Sequence, residues 1–366
     1  MRIGLDYRMV ASAPMSGISR QILAMESVLR ELPDVELVRF AVAPQRATLR
    51  ERVCCPSWGC PSASMHQPHH RLRFEACFLP SELHQKKIDL HIANFNMGLP
   101  LPPKPAGIRY VLVLHDLFQI TMENYHANRL KAAIYKVSDR LSIAYAVHIA
   151  DQIWTPSQFT ADEVARLFPG AIERVRVLPN MVEENCEQVA DMAGRLPSRY
   201  WLVVGTRELR KNVPWFVEAW SQARRESSRI PELVLVGSFE HLPESQRQLP
   251  GLHAFSGLDD AQLQSVYMNA QRLWQPSYAE GFGLPVVEAL SLGVPVAVAT
   301  GSSLGEVAPL DSPRFSPVDG PALQQLMHRL ASGPAEDPSL LREWAKRFGR
   351  GPYRNRLIEL IAEVSS

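Results

Sequence analysis

Two glutamates, Glu280 and Glu288, stand eight positions apart around a Gly-Phe-Gly-Leu-Pro turn in "YAEGFGLPVVEALSLGVPVAVAT", residues 278–300. Gly281 and Gly283 let the backbone pass close to a ligand, and Pro285 suits the first position of a helix, where its missing N–H costs nothing. The N–H groups of Gly283, Leu284 and Val286 would then face outward as an anion site favoured by the helix dipole. A carboxylate beside a phosphate repels it, and gains only by accepting hydrogen bonds from hydroxyls. A sugar nucleotide carries hydroxyls on both sides of its diphosphate, so one glutamate for the hexose and one for the ribose would bracket it. Without such a ligand, Glu280 reads as a solvated loop charge and Glu288 as a partner of the helix dipole.

A second cluster lies in "VVGTRELRKNVPWFVEAW", where Arg207, Arg210 and Lys211 follow the end of a strand and precede a helix. Cations there oppose the helix dipole unless an anion sits among them. A departing nucleoside diphosphate is such an anion, and fixed positive groups would stabilise its developing charge. Taken alone, the loop reads as an exposed basic patch. A third cluster pairs His115-Asp116, at the end of the strand "VLVLHD", with Gly17, at a helix start in "SAPMSGISR".

These residues need a sheet edge to gather them. Short apolar strands alternate with amphipathic helices through both halves of the chain, which implies right-handed crossovers and parallel sheets. In the first half, 2–7, 35–43, 111–116, 152–157 and 175–180 read as strands, and Ser157 as the N-cap of the helix that follows it. In the second half, strands at 200–206, 232–238, 253–257, 272–277 and 294–300 alternate with helices at 213–226, 260–270, 284–292, 320–331 and 338–348. The expected fold class is α/β: two Rossmann-like, doubly wound parallel-sheet domains facing a cleft, with ligands at the carboxyl ends of the strands. The expected boundaries are an N-terminal domain 1–183, a linker 184–198, a C-terminal domain 199–350 and a terminal helix 351–366 packing back on the N-terminal domain. Residues 45–75, rich in Pro, Ser, Cys and His, read as a long loop.

Composition narrows the function. The chain has 366 residues, 46% hydrophobic and 21% charged, with a net charge of +1. That suits a two-domain globular protein and gives no basic footprint for nucleic acid. No apolar run reaches the roughly 18 residues of a membrane span, and "MRIGLDYRMV" reads as a strand, not as a signal peptide. Cys54, Cys55 and Cys60 crowd together ahead of His66, His69 and His70, but in no common zinc spacing. They read, with Cys77 and Cys186, as reduced thiols of a cytoplasmic protein. No metal site and no cofactor is assigned.

Together the clusters resemble the retaining GT-B glycosyltransferases of family 4. "EGFGLPVVEAL" resembles the family's E-x7-E block, and "GTRELRKN" its glycine-threonine-to-arginine-lysine-asparagine loop, with Leu209 where proline is common. "HDLF", "IWTPSQFT", "VRVLPN" and "GSSLGEVA" follow in the family's order. "SGISRQ" is similar to its N-terminal glycine loop, with Ser19 and Gln21 in place of a glycine and an aromatic. The resemblance implies GT-B architecture and a metal-independent transfer of a hexose with retention, whether by front-face attack or through a covalent intermediate. It implies a catalytic set of His115, Arg210, Lys211 and Glu280. It implies donor contacts from Gly17, Gly205, Arg210, Lys211, Glu280, Gly281, Phe282, Gly283, Leu284 and Glu288, with Glu280 on the hexose and Glu288 on the ribose.

The implied donor is a nucleotide sugar, GDP-mannose or a GDP-deoxyhexose before a UDP-hexose. The implied acceptor is a glycan or polyprenyl-linked glycan of bacterial surface polysaccharide. The implied place is the cytoplasm, with peripheral contact to the inner membrane through "HHRLRF" and "ACFLPSELHQKK". A GT-B sugar-nucleotide epimerase and a catalytically silent nucleotide-sugar-binding subunit are the competing readings. A nicotinamide dehydrogenase is disfavoured, because no complete G-x-G-x-x-G follows the first strand.

Overall fold

The computed structural model describes residues 1–42, 53–57, 68–101, 107–122, 129–183, 190–192, 194–206, 208–240, 242–334 and 336–366. Arg207, Cys60, His66, Cys186, most of the 45–75 segment and part of the expected linker 184–198 lie outside the described residues. The chain separates into two compact units, Met1–Met181 with Arg350–Ser366, and Val182–Gly349.

Unit 1 holds a seven-stranded sheet. Its strands are β1 (Arg2–Asp6), β2 (Glu36–Phe40), β3 (Val53–Cys54), β4 (Leu90–Ala93), β5 (Arg109–Val113), β6 (Gln152–Thr155) and β7 (Val175–Val177). The order is β3-β2-β1-β4-β5-β6-β7, and every pairing is parallel. Unit 2 repeats the plan with β8 (Tyr200–Val204), β9 (Glu232–Val236), β10 (Leu252–Phe255), β11 (Arg272–Gln275), β12 (Val296–Ala299) and β13 (Arg314–Phe315). Its order is β10-β9-β8-β11-β12-β13, again parallel throughout. This is the GT-B pair of doubly wound sheets. In each, the order reverses between the first and fourth strands, β1/β4 and β8/β11, and that reversal opens a crevice at the strand ends where ligands bind.

The strands form because they are apolar on both faces, as parallel strands covered by helices must be. β4, β6, β11 and β12 are buried along their whole length. Trp274 on β11 anchors the core beneath the unit 2 edge, its ring centre 5.0 Å from Trp201, 5.4 Å from Phe216 and 5.7 Å from Phe315. Each such ring pair adds about 0.5–1.5 kcal/mol beyond the burial of its surface. Capping follows the sequence signals. Ser157 accepts from the N–H of Thr160 and starts the helix Gln158–Leu167, and Asp259 with Gln262 forms a capping box at Asp260–Met268.

Two features of unit 1 differ from the sequence reading. The segment 45–75 is not one loop: it contributes β3 and the helix Pro68–Arg73, which runs through a π-helical turn, Phe74–Phe78, into Leu79–Gln85. Phe74, Phe78, Leu79 and Leu83 turn into the core and leave Leu72 and Cys77 outside. β4 has no counterpart in the sequence reading, because His91 interrupts its apolar run. That imidazole is fully buried against the Gly4 carbonyl, Nδ1 to O 3.2 Å. Among the described residues no helix is long and apolar enough to cross a membrane.

Candidate functional site

The edge of unit 2 is built from two loops that the strand reversal brings together. The first leaves β8 at Gly205, whose φ of 81° is in the left-handed region that favours glycine. It passes through a 3₁₀ turn, Leu209–Lys211, to Asn212, also left-handed at φ 56°. Asn212 tolerates that backbone better than most residues, and its Nδ2 donates to the Pro317 carbonyl at 2.9 Å. The second loop leaves β11 and carries Ser277 to Gly283. The two are stitched by main chain: Tyr278 N–H donates to the Arg210 carbonyl at 2.9 Å, and Arg210 Nη1 to the Ala279 carbonyl at 3.0 Å.

Glu280 lies between them and points inward. Its Oε1 accepts from Lys211 Nζ at 2.6 Å, Ser277 Oγ at 2.6 Å and Gln275 Nε2 at 2.7 Å, and its Oε2 accepts from Arg210 Nη1 at 2.6 Å. The residue is only 5% exposed. Burial pushes its pKa up, but the charges of Lys211 and Arg210, with hydrogen bonds from Lys211 and Ser277, outweigh burial and hold it down at about 2. Arg210 also pairs with Glu208, Nε to Oε2 2.5 Å. The basic loop therefore already has an anion among its cations, and it comes from the protein's own chain. Nor is the loop an exposed patch, since the side chains of Arg210 and Lys211 are only 17% and 12% exposed.

The glycine turn then enters the helix Leu284–Ser291, so Pro285 stands at its second position and not its first. Gly283 caps it at φ 102°, and a Cβ there would fall 2.6 Å from Leu304 Cδ2, so both backbone and space demand glycine. Val286 N–H donates to the Gly283 carbonyl at 2.9 Å and is taken. Among the described residues no acceptor takes the N–H of Gly283 or Leu284. Phe282 is a core residue, packed edge-on against Phe348 with ring centres 5.4 Å apart, so it can offer a ligand only main chain. Glu288 is half-buried, with Oε2 accepting from Tyr267 Oη at 2.7 Å.

Gly17 and His115 belong to unit 1. Gly17 opens the helix Gly17–Leu29, capped by Ser16. His115 lies two residues beyond β5, with Nε2 3.1 Å from the Asn94 carbonyl and its N–H donated to Asn96 Oδ1 at 2.9 Å. A carbonyl only accepts, so Nε2 carries the proton and Nδ1 is left as an acceptor. Burial lowers the His115 pKa to about 4, although the Asn94 carbonyl raises it. The imidazole is neutral at physiological pH. A cavity of about 20 Å³, room for one water, lies beside it among Gln21, Met25, Asn94 and Asn180.

Two family profiles match the chain: Glycosyltransferase Family 4 over residues 15–185 and Glycosyl transferases group 1 over residues 198–321. The chain belongs to the group 1, family 4 glycosyltransferases. It is 29% identical over 215 residues to O-antigen chain mannosyltransferase B of Escherichia coli, covering 54% of this chain and 55% of that protein. It is 28% identical over 194 residues to the MMP alpha-(1->4)-mannosyltransferase of Mycolicibacterium hassiacum, covering 50% and 46%. It thus spans about half the length of these curated relatives. Among solved structures, the sucrose-phosphate synthase of Thermosynechococcus elongatus superposes with a TM-score of 0.72 at 16% identity, over 100% of this chain and 99% of that one. That likeness speaks for the fold alone.

Within this glycosyltransferase, sequence reasoning missed Gln275, Ser277, Tyr267 and Ser303. Ser303 Oγ lies 2.7 Å from the Glu280 carbonyl and 3.0 Å from that of Phe282, and ties down the turn that follows Glu280. Gln275 and Ser277, five and three residues before Glu280 at a strand end, carried a local signal. Tyr267 and Ser303 come from farther along the chain, 21 residues from Glu288 and 23 from Glu280.

Proposed function

We propose that this protein transfers a hexose, with retention of anomeric configuration, from a nucleoside-diphosphate sugar to a glycan or polyprenyl-linked glycan in bacterial surface-polysaccharide assembly. GDP-mannose or a GDP-deoxyhexose is the favoured donor, since the mannosyltransferase names of the relatives point that way. The observation that carries the reading is the pairing of Arg210 and Lys211 at the β8/β11 switch point. They stand on the loop neighbouring the glycine turn whose Gly283 and Leu284 N–H groups have no acceptor among the described residues.

In this reading the diphosphate is held by Arg210 and Lys211 and by main chain from Gly281 to Leu284. Fixed positive charge there stabilises the leaving group as its bond to the anomeric carbon breaks. Glu288 takes the ribose hydroxyls, with Tyr267 fixing its carboxylate. His115, neutral and with Nδ1 as an acceptor, receives a hydroxyl of the reacting sugar. The resemblance assigns Glu280 to the hexose; its inward carboxylate is taken up below. We place the protein in the cytoplasm, touching the inner leaflet through the first unit. Exposed Leu72, Val137 and Leu141 there lie on helices that also expose Arg73 and Arg140, the mix of apolar and basic groups that interfaces favour.

A thermal-shift screen tests the donor. GDP-mannose, GDP-fucose, UDP-glucose, GDP and UDP are added in turn, and a true donor raises the melting temperature by mass action, about 2.7 kcal/mol at 100 times its Kd. The proton-carbon coupling at the anomeric centre of the product reads retention. No shift with any of them, and no hydrolysis or transfer, would sink the reading.

A further inference from the structure

Glu280 has a feature that sugar recognition does not explain. A carboxylate waiting for a substrate hydroxyl should keep a lone pair facing the site. Both oxygens of this one are engaged by protein donors, four hydrogen bonds of 2.6–2.7 Å, three of them on Oε1. Gln275 and Ser277, which supply two of the four, are themselves buried, 1% and 0% exposed. A carboxylate this far from water is tolerated only when paired and fully bonded. Glu208 also reaches Arg210, but from an exposed position, so Glu280 is the buried carboxylate that both cations share.

We infer that Glu280 is a positioning residue, a resident counter-anion that holds Arg210 and Lys211 aimed at the donor diphosphate and sets how tightly that diphosphate is held. The inference rests on the donor reading above. Without an anion between them, the two cations would repel each other, and their long side chains would spread toward solvent. With Glu280 in place they are fixed before the donor arrives, so no reorganisation is needed as charge develops on the leaving group. The same carboxylate repels the diphosphate across the cluster. It therefore weakens ground-state binding of donor and product alike, which helps the product to leave.

The two effects separate in Glu280→Gln. The amide keeps the shape and part of the hydrogen bonding but makes the cluster more positive by one charge. GDP and UDP, whichever the wild type binds, are titrated by calorimetry at two ionic strengths. The variant is expected to bind the diphosphate about tenfold more tightly, with a steeper loss of affinity in salt. Its kcat and its KM for the donor should fall together, the mark of a removed ground-state cost. Lys211→Gln, which removes one positive charge, should weaken binding. The double variant Glu280→Gln/Lys211→Gln returns the cluster to its wild-type charge and should recover affinity toward the wild-type value. It also serves if Glu280→Gln alone fails to fold. A Glu280→Gln protein that binds the diphosphate as weakly as Lys211→Gln, with a double variant no better, would overturn the inference and leave the donor reading standing. A wild type that binds neither GDP nor UDP would overturn both.

Discussion

The two sheet reversals of this molecule share one topology and use charge in opposite ways. At β1/β4, Arg8 is enclosed by Asp6 and Glu75, with Nη2 to Asp6 Oδ2 2.7 Å and Nη1 to Glu75 Oε1 3.0 Å. Its guanidinium lies 4.5 Å from the centre of the Phe74 ring and 4.8 Å from that of Phe95. The Gly98 carbonyl accepts from Arg8 Nη2 at 3.2 Å, and a Cβ on that glycine would sit 2.3 Å from the same nitrogen. All three charged residues are at most 3% exposed. This set carries one cation and two buried carboxylates; the β8/β11 set carries two cations, one buried carboxylate in Glu280 and one exposed carboxylate in Glu208, and keeps its cations partly exposed. The first is sealed and holds the fold. The second leaves Arg210 and Lys211 within reach of solvent. One topology can thus bury its charges as a structural core at one edge and keep two fixed cations accessible at the other.

Removing one cation from each set is the strongest way to break that contrast. Arg8→Met takes from two buried carboxylates the guanidinium they share, which is expected to cost about 3–5 kcal/mol of stability. Lys211→Ala leaves Glu280 bonded to Arg210, Gln275 and Ser277, so its stability cost should be only about 1–3 kcal/mol, the worth of one charged hydrogen bond. Turnover in the folded Lys211→Ala protein should fall about 100-fold, the scale of a lost transition-state electrostatic partner. Urea unfolding and donor-transfer kinetics measure the two variants side by side. Equal stability losses, or full turnover in Lys211→Ala, would show that the sealed and ligand-facing roles have been assigned wrongly.

Acid separates the two units next. His91 and His115 in unit 1 are buried, and burial lowers both pKa values to about 4 from an ordinary 6.5. Asp6 raises the His91 value and Arg8 lowers it. The unfolded chain takes up these protons below pH 6.5, while the folded chain does not until about pH 4. Unit 1 therefore loses stability as pH falls through that window, by at most ~3 kcal/mol for each histidine, and loses none above it. Glu280 behaves otherwise. Its pKa is held at about 2 against an ordinary 4.5, so its contribution is present above pH 4.5 and is lost only as pH falls from there toward 2. Pulse proteolysis at pH 7.0 and 5.0, with fragments assigned to each unit, should show unit 1 weakening first. Unit 2 opening first would contradict this order.

The glycine turn, the strands β8 to β12 of unit 2 and the cap at Ser157 are legible because each is set by neighbours in sequence. What stayed hidden was long-range. Glu280 and Lys211 are 69 residues apart and Arg210 one further, so spacing alone left Glu280 as an outward loop charge. The strand order supplies the missing step. Once the parallel sheet reverses beside its first strand, the loops after β8 and β11 must be neighbours, and a basic loop beside an acidic one is bound to pair. β4 stayed hidden for the opposite reason. His91 looks polar in sequence, yet it is buried neutral with its Nδ1 on a carbonyl, which no local pattern reveals.

The smallest effect sharpens the contrast within unit 2 itself. Glu280 is buried and bonded by two cations and two neutral donors, whereas Glu288 is half-buried and accepts from the neutral hydroxyl of Tyr267. A carboxylate held by a neutral donor keeps its charge available to a ligand hydroxyl. Glu288→Gln is therefore expected to weaken diphosphate binding by about 1–2 kcal/mol, opposite in sign to Glu280→Gln, since a charged hydrogen bond to the ribose becomes a neutral one. Tyr267→Phe keeps the ring in the core and removes only the hydroxyl that orients Glu288, so it should weaken binding by about 0.5–1 kcal/mol. Because Tyr267 acts through Glu288, the two losses should not add: in a Glu288→Gln background, Tyr267→Phe should change affinity far less than it does alone. Calorimetry on the four proteins of this cycle decides it. Additive losses would make Tyr267 an independent contact, and equal signs for Glu280→Gln and Glu288→Gln would merge the two glutamates into one role.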